Sequence, residues 1–260
     1  MYTYAEKYYQ LLKSALSEKP AFSIDDAERV LDSKRSSILW LLSTLTASGR
    51  LVRISRGVYS FSDKKISFRT PTFSPEINNA IATLRNEGVS FVLTGLDILL
   101  PFVQHQPNRL LHLLYTATGA GSWAQSLLKS EKFTPLLEPG LQEINTIIDV
   151  IEDQSEIIII RERSSTVASK DSLATLERAF IDLYFEASRD MIPFSFQETA
   201  YIFLNMRSSV KLNTAQMLRY SHERTIRDEI EDILKALKDP RAHISSERAQ
   251  KFLSILGKIR

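Results

Sequence analysis

The sequence predicts an α+β protein in two parts. A winged helix-turn-helix head covers residues 1–70, and a mixed α/β body covers 72–260, helical from about residue 172. Three observations carry this reading. Capped apolar helices are followed by two short β-like runs around Ser55-Arg56-Gly57. Strand-sized and helix-sized apolar runs then alternate from Ser74 to Ile160. From Ser172 onward the apolar spacing is helical throughout.

In the head, Tyr4 to Glu18 reads as a helix with Tyr8, Leu11, Leu12 and Ala15 on one face, ended by Lys19-Pro20. Ser23 precedes Ile24-Asp25-Asp26-Ala27-Glu28, an N-cap with acids at the positive end of the helix dipole. After a turn at Asp32-Ser33, Ser33 is expected to cap a third helix. That helix carries Ile38, Leu41, Leu42 and Leu45 at helical spacing, and Gly49 supplies its left-handed stop. Leu51 to Ile54 and Val58 to Phe61 complete a hairpin. The expected head core is Leu11, Leu12, Val30, Ile38, Leu41, Leu42 and Leu45.

The body begins where Pro71 and its polar neighbours mark a linker. Ser74-Pro75 opens a helix to Glu87, stopped at Gly88. Ser90–Leu93 and Leu110–Tyr115 read as strands on either side of a short helix, Leu96–Leu100. A helix follows over Ser122–Lys129, then a buried strand over Glu156–Ile160 flanked by charges. The tail reads as helices over 173–187, 196–206, 214–221, 226–237 and 246–259.

Charge separates the two parts. Residues 1–70 hold twelve Lys or Arg against seven acids; the remaining 21 bases and 24 acids leave the body slightly acidic. From Ser33 to Thr70 there are eight bases and one acid, Asp63. A basic head suggests a polyanion as its partner, and a winged helix points to duplex DNA. The N-terminal residues of the recognition helix, Lys34, Arg35, Ser36 and Ser37, are the candidates for base contacts. Arg53 and Arg56 in the wing, with Tyr59 beside them, are candidates for the backbone. Trp40 fits a DNA-facing position or packing against the first helix equally well. The bland reading is a solvated helix face and an ordinary basic hairpin, and winged helices also bind proteins.

Other classes find little support. The absence of Cys excludes disulfides, thiolate metal sites and Cys nucleophiles. His105, His112, His222 and His243 have no metal-ligand spacing, and no cofactor is implied. The N-terminus has neither the basic start nor the apolar core of a signal peptide. No apolar run approaches a membrane span, so a soluble cytoplasmic protein is expected. Gly119-Ala120-Gly121-Ser122 before a helix is the one loop that could cradle a phosphate. It lacks the Lys-Ser/Thr of a P-loop, and a helix-capping turn explains it better. Two-metal nucleotidyl transfer also needs paired carboxylates on the next strand. Residues 131–138 hold no Asp, while Asp149, Glu152 and Asp153 come late and are spaced differently.

Three segments together resemble the AbiEi antitoxins of bacterial abortive-infection (AbiE) toxin–antitoxin systems. They are Leu51-Val52-Arg53-Ile54-Ser55-Arg56-Gly57-Val58-Tyr59, Ser90-Phe91-Val92-Leu93-Thr94-Gly95-Leu96-Asp97-Ile98-Leu99, and Thr175-Leu176-Glu177-Arg178-Ala179-Phe180-Ile181-Asp182. The resemblance is diffuse and spans about the first two-thirds of the chain. It implies a non-catalytic, nucleotidyltransferase-like body, binding of inverted repeats upstream of the protein's own operon, dimeric or not, and opposition to a nucleotidyltransferase toxin with or without a stable complex. Two alternatives stand beside it: a ligand-responsive regulator without a toxin, and a nucleotidyltransferase-like enzyme using Gly121-Ser122 with Asp149 or Glu152.

Overall fold

The structure, a computed structural model, describes residues 4–17, 22–55, 57–61, 73–104, 110–130, 132–151, 155–163 and 172–259. The chain divides into two compact units. Residues 1–69 with 204–211 form the first, and 70–203 with 212–260 form the second.

The first unit holds α1 (Tyr4–Leu16), β1 (Phe22–Ser23), α2 (Ile24–Leu31), α3 (Arg35–Ala47), β2 (Leu51–Ser55) and β3 (Val58–Phe61). The strands form an antiparallel sheet in the order β1-β3-β2. Three helices and such a sheet make a winged helix-turn-helix. Ser23 and Asp26 form a reciprocal capping box: the Asp26 amide donates to Ser23 Oγ (3.0 Å) and the Ser23 amide to Asp26 Oδ2 (2.9 Å). Gly49, at φ +71°, closes α3 by letting the Arg50 amide reach the Leu45 carbonyl at 2.9 Å.

Two expectations need correction here. The cap of α3 is Lys34, which makes no side-chain cap bond; Ser33 Oγ donates instead to the Leu31 carbonyl at 3.0 Å. The buried stripe of α1 is Tyr9, Leu12 and Leu16, leaving Leu11 45% exposed. Phe22 and Phe61, whose rings lie 5.2 Å apart, fill the space beneath the sheet, and helix periodicity cannot anticipate strand residues. Val30 packs at the edge of that core.

The second unit follows with α4 (Pro75–Asn86), β4 (Phe91–Thr94), α5 (Leu96–Leu99), a 3-10 turn (Leu100–Phe102), β5 (Leu111–Ala117), α6 (Gly121–Leu128), β6 (Phe133–Leu137), α7 (Leu141–Val150) and β7 (Glu156–Arg163). Its sheet runs β4-β5-β7-β6, antiparallel between β4 and β5 and parallel across the rest. One face packs its apolar residues (Phe91, Leu93, Leu114, Ile158, Ile160) with Ile77, Ile81 and Leu84 of α4 and Ala124 and Leu128 of α6. The remaining elements are helical: α8 (Leu176–Ser188), α9 (Phe196–Ser209), α10 (Thr214–Glu223), α11 (Arg227–Lys238) and α12 (Glu247–Ile259). Phe180, Tyr184, Phe196, Phe203 and Phe252 interlock, with Phe180 and Phe203 at 4.9 Å and Tyr184 and Phe252 edge-on at 5.3 Å. Among the described residues no helix is long and apolar enough to cross a membrane.

Candidate nucleic-acid interface and the polar interior of the second unit

In the first unit, α2 and α3 form the helix-turn-helix, joined through Asp32, which takes the left-handed conformation at φ 42°. Burial of Ile38, Leu41, Leu42 and Leu45 turns the opposite face of α3 to solvent. That face carries Ser36, Ser37, Trp40 and Ser43, all exposed, with Leu39 on its flank. Trp40 is 58% exposed, which decides between its two readings: it lies on the surface and outside the core. The helix contains no acid.

The sequence-predicted site residues fare differently from one another. Lys34 is exposed at the start of α3. Arg35 is exposed too, but its guanidinium is engaged by the acids of α2, with Nη1 2.9 Å from Asp25 Oδ1 and 3.1 Å from Glu28 Oε1. Spacing within α3 could not reveal that pairing, because the partners are on the preceding helix. Tyr59 is a correction: it is only 7% exposed, pairs with Phe22 across the sheet and belongs to the core, so it offers no surface to DNA. Arg53 lies on β2 opposite Tyr59, but its side chain falls outside the described residues, as does Arg56 altogether. Arg50 is held to Glu6 and stacks its guanidinium over the Tyr9 ring at 5.1 Å, tying α1 to the end of α3.

The chemistry-bearing residues of the second unit turn inward. On α8, Arg178, Asp182 and Glu186 follow at four-residue intervals and are all buried. Asp182 accepts from Thr94 Oγ1 (2.8 Å) and Arg224 Nε (2.7 Å), with Arg178 Nε at 3.6 Å. Glu186 accepts from the Tyr115 hydroxyl (2.7 Å) and from Arg161 Nε and Nη2 (3.2 and 3.0 Å). Arg161 also donates to the Pro139 and Met191 carbonyls at 2.8 and 3.1 Å. Arg224 lies over the Tyr115 ring at 3.9 Å. Burial, reinforced by Glu186, pushes the Tyr115 phenol well up, so it stays a neutral donor. Burial opposes the Arg224 charge, yet Asp182 holds its pKa above the ordinary value. Thr94 and Asp182, from two of the segments that carry the family resemblance, thus meet in one network of paired charges.

His112 on β5 is a second buried polar centre. Its Nδ1 lies 2.8 Å from Asp97 Oδ1 and its Nε2 3.3 Å from Glu156 Oε2. Burial alone would lower the imidazole pKa, but the two carboxylates outweigh it and raise the value to about 9. Among the described residues no three His, Asp or Glu side chains come together as a metal would need.

The Gly-rich loop is occupied by the protein itself. The Gly121 amide, first in α6, donates to Glu162 Oε1 at 2.7 Å. A Cβ on Gly121 would lie 2.4 Å from Leu137 Cδ1 and 2.6 Å from that oxygen, so a larger residue would push both side chains aside and disturb the contact with Glu162. A carboxylate seated on a helix N-terminus takes the place an incoming phosphate would need. Asp149 is exposed on α7, and Glu152 and Asp153 fall outside the described residues.

These features define a winged-helix protein whose second unit is an α/β scaffold with a charge-paired interior. The chain belongs to a family of unknown function, DUF6577, which matches residues 37–240. Residues 9–62 match a second family, described as transcriptional regulator, AbiEi antitoxin. This is the kinship expected from the wing, and the match runs from within α1 through β3 and ends there. The segments around Thr94 and Asp182 lie beyond it, inside the DUF6577 match. No curated protein and no solved structure matches the chain.

Proposed function

We propose that the protein is a DNA-binding antitoxin and autorepressor of the AbiE kind. In this reading the head, residues 1–70, holds operator DNA, and the body, residues 72–260, opposes a nucleotidyltransferase toxin without catalysing transfer itself. The observation that carries the proposal is that residues matching AbiEi transcriptional regulators build a helix-turn-helix whose second helix presents hydroxyls and Trp40 without one acid. Phosphate repels an acid that does not pair with a base edge, so an acid-free helix suits a duplex. A catalytically silent body is supported by Glu162 on the Gly121 amide and by the inward engagement of Asp182 and Glu186.

The test uses the full chain. Its affinity for the duplex upstream of its own gene is compared with that for an unrelated duplex of equal length. Growth is followed when the chain is expressed beside the adjacent reading frame. Preferential binding with rescue of growth is expected. Equal binding to both duplexes would remove autorepression, and a neighbour that is harmless when expressed alone would remove the antitoxin role.

A further inference from the structure

The side chains that distinguish one base pair from another in the major groove are usually Arg, Lys, Asn and Gln, with acids accepting from cytosine, all through hydrogen bonds to base edges. Helix α3 has almost none of them. Its sequence, Arg-Ser-Ser-Ile-Leu-Trp-Leu-Leu-Ser-Thr-Leu-Thr-Ala, contains no Asn, Gln, Lys or acid. Its one Arg, Arg35, is already engaged by Asp25 and Glu28, and the exposed Lys34 stands at the N-cap, before the first turn. What it offers to solvent is apolar area, with Trp40 58% and Leu39 44% exposed. Ser36 and Ser43 lie about one turn on either side of Trp40 and are exposed as well.

An apolar surface of this kind has one specific counterpart on a duplex, the C5-methyl group of thymine. Flanking hydroxyls add hydrogen bonds that accept either donors or acceptors and so discriminate little. We propose that α3 reads sequence through Trp40 and Leu39 packed on thymine methyls, so that the preferred site is A·T-rich at the positions facing α3. The proposal rests on the DNA-binding reading above and sharpens it: the wing supplies phosphate contacts blind to sequence, and Trp40 supplies the discrimination. Each thymine methyl buried against an apolar side chain adds roughly fourfold to affinity.

Because Trp40 is exposed, its removal leaves the core of α3 intact. The full chain is titrated with three duplexes of equal length: alternating dA-dT, the same duplex with every thymine replaced by uracil, and alternating dG-dC. The parent is expected to bind the thymine duplex several-fold tighter than the uracil duplex. Trp40→Ala is expected to shrink that difference, losing more affinity on the thymine duplex than on the uracil duplex, and Trp40→Phe to restore part of it. Equal parental affinity for the thymine and uracil duplexes overturns the proposal. So does a Trp40→Ala loss of the same factor on all three duplexes, or a change in sedimentation showing that Trp40 joins two copies of the chain. Failure of the parent to bind any duplex at low salt would instead sink the DNA-binding reading itself.

Discussion

Arg35 on α3 faces water, with Asp25 and Glu28 as partners that are themselves exposed or half-buried, whereas Arg161 and Arg224 lie inside the second unit against the fully enclosed Glu186 and Asp182. Chemically these are the same ion pairs; physically they are different devices. An exposed pair is screened by solvent, adds little to stability and can be broken at little cost when a polyanion approaches. An enclosed pair has lost its hydration, and either partner left alone becomes an uncompensated charge. The first unit therefore uses arginine at its surface, and the second uses it as interior structure. Substitutions in the two units should consequently move different observables.

The largest effect is expected at Asp182. Asp182→Ala leaves Arg224 facing an empty site and removes the acceptor of Thr94. Unfolding free energy should fall by about 3–5 kcal/mol. Thermal or chemical denaturation reads this directly, and a loss below about 1 kcal/mol would place the pair with ordinary surface bridges and erase the contrast.

A smaller effect is expected from pH. The His112 pKa rises from 6.5 in the unfolded chain to about 9 in the folded one. Its contribution is complete below pH 6.5, where both states are protonated, and is lost as the pH climbs through 9. Stability should therefore decline by a few kcal/mol at most between about pH 6.5 and about pH 9. His112→Gln should flatten that decline; an equal slope in parent and variant would assign it to other groups.

The smallest effect on stability belongs to the surface. Asp25→Asn with Glu28→Gln frees Arg35 and removes two negative charges beside α3. Folding stability should stay within about 0.5 kcal/mol. Duplex affinity at low salt should rise roughly two- to tenfold, because the local field becomes more positive. Unchanged affinity in an anisotropy titration would show that α2 lies away from bound DNA.

The same contrast explains what was legible in the sequence. Local signals located the head: the Ser23 cap, the Ile38 to Leu45 stripe and the Gly49 stop all appear in the structure. Strand β1 escaped because two residues carry no period. Strand β6 was missed because Pro135 interrupts Phe133–Leu137; it is tolerated since β6 is an edge strand. Helix α7 was missed because Ile144, Thr146, Ile147, Ile148 and Val150 are β-branched, and only Ile144 among the helix's residues is buried. Arg161 was read as charge flanking a strand that ends at Ile160, yet β7 continues to Arg163 and encloses it. Its partner Glu186 lies 25 residues away, beyond any local pattern. One signal was available: Arg178, Asp182 and Glu186 at four-residue spacing on a largely apolar helix mark a polar line facing inward.

The wing tests the account most directly. Affinity of the full chain for one duplex is measured against salt concentration, for the parent and for Arg53→Ala with Arg56→Ala. If Arg53 and Arg56 hold phosphates, the slope of log affinity against log salt should fall by about two units, close to one per lost contact. The thermal midpoint should stay where it was. An unchanged slope and affinity would contradict the account, because Arg53 and Arg56 of the wing would then have no role in holding DNA.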